Sequence, residues 1–218
     1  MSRLVLVILG KQGAGKGTQC ARLSARYEIP HVSTGDILRA AVKAGSALGR
    51  EVKAVLESGG LVSDDLVNRL VAERFSEPDA QRGALLDGFP RTPGQARALD
   101  ELLGDNGVSL CINLDVPSEL AVARLSARRV CVECGTIYRD SDPEAISGTC
   151  AKCGGDVIQR SDDLPEAIAA RLALYERDTA PLLDFYGARG LLATVDGARD
   201  AALVTAEIEG VIAERGLA

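Results

Sequence analysis

The chain has 218 residues, 46% of them hydrophobic and 26% charged. That is an ordinary globular balance, and it excludes a disordered or collagen-like polypeptide. A net charge of −6 and only 3% aromatic residues argue against broad nucleic-acid binding, which draws on basic patches and stacking rings. There is no run of the roughly 18 apolar residues that a bilayer span requires. The opening MSRLVLVILG lacks the apolar length and the cleavage site of a signal peptide, so a cytosolic location is expected.

Residues 3–9 (RLVLVIL) form a continuous apolar run, the pattern of a strand buried on both faces of a parallel sheet. A glycine-rich stretch follows, then a helix to about Tyr27, and His31 stands at a strand start. Helices are expected at about 35–44, 46–58 and 64–75, the last from the spacing of Leu66, Val67, Leu70, Val71 and Phe75. Further strands are expected at 84–87, 108–114 and 191–195, separated by helices at about 93–103, 117–127 and 165–185. Pro181 should kink or end the last of these, and Asp163-x-x-Glu166 has the form of a capping box at its start. This alternation predicts an α/β fold: a parallel β-sheet with helices on both faces and right-handed crossovers. Two segments break the rhythm. One, 33–62, is helical with no strand of its own. The other, 128–163, is rich in Gly, Cys and Asp and too long for a plain loop, so it should be a small insert with its own staple.

Gly10-Lys11-Gln12-Gly13-Ala14-Gly15-Lys16-Gly17-Thr18 lies between the first strand and a helix, the context of a phosphate-binding P-loop. Glycines let successive N–H groups turn inward onto phosphate oxygens, and the helix N-terminus adds its positive end. Lys16 should reach the β- and γ-phosphates. Thr18 is the candidate for the magnesium side, one position later than the strict pattern. Lys11 reads as a solvated charge.

Cys131-x2-Cys134 and Cys150-x2-Cys153 are separated by 15 residues, and each pair ends on a Gly. The spacing fits a structural zinc site with four thiolates and no open position. Two disulfides or an iron–sulfur cluster are the rivals. Residues 127–163 carry five basic and seven acidic side chains, which makes the insert a poor binder of a phosphate backbone. Cys20 and Cys111 read as small buried residues, and His31, the one histidine, reads as structural.

Phosphoryl transfer between nucleotides needs many cations, and Arg forks suit phosphate best. Arg39, Arg91, Arg124, Arg128, Arg160 and Arg171 sit at loops and helix ends. All but Arg171 fall within STGDILR (33–39), LLDGFPRT (85–92), ARLSARR (123–129) and QRSDD (159–163), and GKQGAGKGTQ (10–19), CVEC, CAKC and VDG (195–197) stand beside these. On these motifs the chain resembles the adenylate kinases, in the form with a long zinc-binding lid, from Leu4 to about Arg199. STGD and DGFPR mark nucleoside monophosphate kinases in general, and the four-Cys insert narrows the resemblance to the adenylate branch.

The resemblance implies a P-loop NTPase-type core (1–32, 63–126 and 164–218), a helical NMP-binding insert (33–62) and a zinc-ribbon-like lid (127–163). It implies a Mg2+-dependent, reversible transfer from ATP to AMP giving two ADP, by a monomer. Gly13, Ala14, Gly15, Lys16, Gly17 and Thr18 would hold the ATP phosphates. Ile137 and Tyr138 in the lid and the Ala198–Arg199 backbone would flank its adenine and ribose. Thr34, Arg39, Gly60, Leu61, Val62, Gly88, Phe89, Pro90, Arg91 and Gln95 would hold AMP, with Gln95 reading the adenine edge. Lys16, Arg91, Arg124, Arg128, Arg160 and Arg171 would surround the transferred group, Arg128 reaching ATP and Arg160 and Arg171 reaching AMP. Asp36 and Asp87 would orient waters around magnesium; a structural strand-end carboxylate is the other reading of Asp87. For Asp162 and Asp163, helix capping and a lid-closing ion pair remain open. Gln12 stands where family loops commonly carry Pro, Arg199 where Lys is common, and the lid keeps only Pro143 of a Phe-Asn-Pro-Pro stretch. Competing readings are a nucleotide switch with a zinc ribbon and a kinase acting on GMP, UMP or CMP.

Overall fold

The first apolar run becomes the middle strand of a five-stranded sheet in a computed structural model that describes residues 3–217. The first half of the chain gives β1 (Leu4–Leu9), α1 (Lys16–Tyr27), β2 (His31–Ser33), α2 (Thr34–Lys43), α3 (Ala47–Glu57), α4 (Asp64–Phe75), β3 (Gly83–Asp87) and α5 (Pro93–Leu103). Next come β4 (Leu110–Asp115), α6 (Ser118–Ser126), β5 (Arg128–Cys131), β6 (Ile137–Arg139), α7 (Pro143–Ser147) and β7 (Val157–Ile158). The chain closes with α8 (Pro165–Leu174), α9 (Pro181–Gly187), β8 (Leu192–Asp196) and α10 (Ala201–Glu214).

The main sheet runs β2-β3-β1-β4-β8, and every neighbouring pair is parallel. The register places Leu6 opposite Leu85 and Ile8 opposite Ile112, so the ends of β1 and β3 open on the same edge. Alternation along β1 divides the core. Val5, Val7 and Leu9 face α4, α5 and α9 through Val71, Leu99 and Tyr186. Leu6 and Ile8 face α1, α6 and α10 through Leu23, Ala121 and Ile208. Both faces of the sheet are thus covered, as a parallel sheet requires.

Three local features differ from the sequence expectation. The helix expected at 165–185 is broken: α8 ends at Leu174 and a wide π-helical turn, Tyr175–Thr179, precedes α9. Pro181 sits in the first turn of α9, where its missing N–H leaves no bond unmade. The capping box does not form, because Leu164 occupies the cap position and the Asp163 carboxylate is taken by arginines. The third feature, α10, was not expected. Its buried residues Val204, Ile208 and Ile212, with Val211 packed beside them, follow helical spacing along one face.

Each break in the alternation is a distinct packing unit. In 33–62, α2 and α3 pack as a tight helical pair: a Cβ on Gly49 would stand 2.0 Å from the Ala41 carbonyl oxygen, so only glycine fits. In 127–163, β6-β5-β7 form an antiparallel sheet with the short α7 beside it. Its core is only Cys131, Cys150 and Val157, with Tyr138 and Ala145 packed on them, so it needs a covalent or metal staple.

Candidate active site

The chain leaves β1 at Gly10 and curls into α1. Gly13 has φ +84°, and a Cβ there would lie 2.6 Å from the Ala121 carbonyl oxygen, so the loop can close against α6 only with glycine. Gly15, the N-cap of α1, has no side chain to occupy the first-turn N–H groups, which leaves them for an anion. Ala14 is buried, and Gly17 and Thr18 follow in the first turn of α1, with Thr18 exposed. The Lys16 ammonium donates to the carbonyls of Gly10 at 2.6 Å and Lys11 at 2.9 Å. Burial lowers its pKa to about 8; Asp87 works against this, and the Arg91 and Arg171 charges add to it. Lys11 is not freely solvated: its ammonium lies 3.5 Å from Glu176 and donates to the Val116 carbonyl at 3.4 Å.

Beside this loop is a pocket lined by Thr34, Arg39, Gly60, Leu61, Val62, Gly88, Arg91, Gln95 and Arg171, together with Leu38, Leu56, Val67 and Asp162. Its floor is a hydrogen-bonded turn. Thr34 Oγ1 donates to the Gly88 carbonyl at 2.9 Å, and Arg91 Nε donates to the same oxygen at 2.8 Å. Gln95 Oε1 accepts from the Arg91 N–H at 2.7 Å, and its amide nitrogen donates to Asp64 at 2.7 Å. Gln95 therefore holds the protein through one amide N–H and its oxygen while also lining the pocket. Asp64 also accepts from Thr92 Oγ1 at 2.7 Å. Sequence reasoning missed Asp64, because a Ser-Asp-Asp run at a helix start signals capping. Phe89 and Pro90 do not line the pocket: both are buried, and the Phe89 ring packs with Val67, Val71 and Leu99.

The remaining arginines are aimed by acidic partners. Arg160 grips Asp162 with two bonds of 2.8 and 2.6 Å, and Arg128 grips Asp163 with two of 2.7 and 2.6 Å. Arg171 spans both carboxylates at 3.2 and 3.1 Å. Asp163 has no exposed side-chain surface, so these are ion pairs rather than helix caps. Since Arg128 and Asp163 stand at the two ends of the insert, their pairing clasps its base. Burial, with Asp162 opposing and the Arg128 and Arg160 charges assisting, lowers the Arg171 pKa to about 10. Burial and the nearby Arg160 also lower Arg39, which pairs with Asp36. So many cations held partly desolvated make a strong anion trap. Arg124 instead donates to the carbonyls of Gly197 at 2.9 Å, Gly13 at 3.4 Å and Ala198 at 3.4 Å, tying α6 to both turns.

Asp87 ends β3 with its carboxylate 3.3 Å from His31 Nε2. Burial acts to raise its pKa, but the His31 hydrogen bond and the Lys16 and Arg91 charges outweigh it, and the group stays below the usual carboxylate range. Arg199 pairs with Asp196 and Glu207 beside the Ala198 turn. In the insert, Ile137 is exposed on β6, while the Tyr138 hydroxyl lies 3.2 Å from Cys150 Sγ.

The four sulfurs of Cys131, Cys134, Cys150 and Cys153 lie within 4.8 Å of one another and form no disulfide. The Cys131–Cys153 and Cys134–Cys150 separations are 3.4 and 3.6 Å. A tetrahedral zinc with thiolate bonds of about 2.3 Å would set sulfurs about 3.8 Å apart, so the donor set fits a four-coordinate metal. Thr136 Oγ1, 3.1 Å from Cys134, and the Tyr138 hydroxyl supply hydrogen bonds to the sulfurs.

Comparison with known proteins accords with this geometry. The sequence model of the family described as adenylate kinase matches residues 8–191. The adenylate kinase of Symbiobacterium thermophilum is 49% identical over 210 residues, 95% of this chain and 97% of the relative. That of Desulfitobacterium hafniense is 47% identical over 205 residues, covering 93% and 94% of the two chains.

The chain belongs to the adenylate kinase family.

As a member of the adenylate kinase family it is a nucleotide-binding enzyme that transfers phosphoryl groups between adenine nucleotides. Its four-cysteine cluster fits the adenylate kinase form with a metal-binding lid. Among the described residues no helix is long and apolar enough to cross a membrane.

Proposed function

We propose that the chain catalyses ATP + AMP ⇌ 2 ADP, with Mg2+ accompanying ATP, as a cytoplasmic monomer with no nucleic-acid or membrane partner. The observation that carries this reading is the adjacency of two anion pockets: Arg91 and Arg171, which line one, lie near enough to Lys16 in the other to depress its pKa. Gly13–Thr18 cradle the ATP phosphates, and Lys16 swings from its own loop carbonyls to the transferred group. Arg39 and Arg91 grip the AMP phosphate. Thr34, the 60–62 backbone, Gly88 and Gln95 surround the rest of AMP. An AMP phosphate oxygen attacks the γ-phosphorus in line, the ADP oxygen leaves, and Arg124, Arg128, Arg160 and Arg171 hold the charge spread over the equatorial oxygens. Mg2+, when bound with ATP, neutralises phosphate charge, and Asp36, Asp87 and Thr18 are the oxygen groups suited to its water shell. Ile137 and the 198–199 backbone flank the ATP adenosine, and Tyr138 contributes by holding Cys150.

Residues 33–62 and 127–163 act as two flaps on the core (1–32, 63–126 and 164–218), excluding water that would otherwise accept the phosphoryl group. The Lys43–Glu133 ion pair at 2.7 Å joins one flap to the other and supports this closure. The lid metal is zinc, in a structural role.

Three measurements test this reading. With AMP, GMP, UMP and CMP offered in turn alongside ATP, AMP is the acceptor used; a preference for another acceptor overturns the assignment. Lys16, near pKa 8 when free, must be charged to bind phosphate, and phosphate in turn raises its pKa. ATP affinity is therefore flat below about pH 7.5 and falls above pH 8, by at most about tenfold per unit. Calorimetric titration across that range reads it, and a flat profile contradicts the assigned contact. Chelating the metal melts the lid at lower temperature than the core, since metal binding supplies its folding energy. Metal analysis finding no metal together with paired thiols contradicts the zinc site.

A further inference from the structure

A second group of metal-ligating side chains converges away from the lid. The donor atoms of Cys20, His31 and Asp87 all lie within 4.8 Å of one another. Three elements bring them together. Cys20 lies in α1 and faces the sheet with no exposed surface. His31 opens β2 and Asp87 closes β3. The register sets Ser33 opposite Asp87, so His31 and Asp87 lie two positions apart on one face of neighbouring strands, the face that α1 covers. His31 Nε2 and Asp87 Oδ2 are 3.3 Å apart. The N···O edge of a tetrahedron with metal bonds of about 2.05 Å is about 3.3 Å.

We infer that Cys20 Sγ, His31 Nε2 and Asp87 Oδ2 form a second metal site beneath the phosphate loop, suited to a borderline-soft divalent cation of the Zn2+ or Co2+ kind. A sulfur–nitrogen–oxygen donor set selects such ions over Mg2+, which takes oxygen ligands. Three protein donors leave the fourth position to water. The bound cation replaces the Cys20 thiol proton, which passes to solvent, so one proton is released per metal. The thiolate and the Asp87 carboxylate then balance the two positive charges. Among nearby charged groups Lys16 and Arg91 oppose the cation and Asp36 favours it. His31 and Asp87 keep side-chain exposures of 24% and 15%, and these give the ion a route in.

Occupation withdraws Asp87 from the cleft and sets a cation beside Lys16. The site is therefore inhibitory, and this part of the inference rests on the proposed reaction.

The test uses protein already carrying its four-cysteine metal, titrated with Co2+. The wild type takes up one further equivalent, develops sulfur-to-cobalt charge-transfer absorption and releases one proton. Cys20→Ala and His31→Gln each retain the four-cysteine metal and lose that equivalent. In the ATP–AMP assay, half-inhibition of Cys20→Ala needs at least tenfold more Co2+ than that of the wild type. No further equivalent in the wild type, or one retained by both variants, overturns the site. Uptake without inhibition leaves the site standing and overturns its inhibitory role. An absence of turnover before Co2+ is added counts against the proposed reaction alone.

Discussion

Lys16→Ala lowers kcat for ATP–AMP transfer by about 10²–10³-fold or more, the range seen when a single preorganised charge-stabilising donor is lost. The side chain is poised for this role. It is enclosed, its charge is held at a cost that lowers its pKa to about 8, and its present partners are two carbonyls of its own loop. A phosphate is a better partner than either, because the bond becomes charge-to-charge. The fold should survive the change, since no carboxylate is left without a counter-charge: Asp87 keeps His31 and the Arg91 field. Steady-state kinetics beside a melting curve read both effects. Activity within tenfold of the wild type, in a folded variant, rejects the role.

Arg91→Ala raises KM for AMP by about 10²-fold, as expected when one partner of a buried charge-assisted contact is removed, at about 2–5 kcal/mol. ATP affinity should change less than about threefold, because Arg91 lines the acceptor pocket and makes no contact with the 10–18 loop among its hydrogen bonds. Arg91→Lys recovers only part of the loss, since an ammonium cannot reproduce the fork that here also reaches the Gly88 carbonyl. Initial rates with each nucleotide varied, together with calorimetry for ATP alone, separate the effects. Equal weakening of ATP and AMP contradicts the division into two pockets.

Much of this was legible in the chain because it is local and repetitive. RLVLVIL needs burial on both faces, and the glycine–lysine loop needs a strand before it and a helix after it. Two CxxC pairs can be recognised by spacing alone, and their sulfurs do converge. What escaped depends on distant partners. For Asp163 the sequence leaves a cap and an ion pair open, and only the grip of Arg128, 35 residues away, decides for the ion pair. The hold of the Tyr138 hydroxyl on Cys150, 12 residues away, is likewise a contact that no local pattern announces. Phe89 sits within a site motif, yet its ring fills the core between α4 and α5. Lys11 reads as solvated because Glu176 lies far along the chain. The exception is α10, whose Val204, Ile208, Val211 and Ile212 keep helical spacing and are readable locally. The meeting of Cys20, His31 and Asp87 follows only from strand register, which no single segment encodes.

The central claim is that two phosphate-binding pockets face each other across one cleft. A crystal structure with AMP and a non-hydrolysable ATP analogue tests it most directly. The account predicts the triphosphate along residues 10–18, the AMP phosphate between Arg39 and Arg91, and the γ-phosphorus in line with an AMP oxygen. An AMP phosphate bound elsewhere, or a triphosphate pointing away from Arg91, would contradict it.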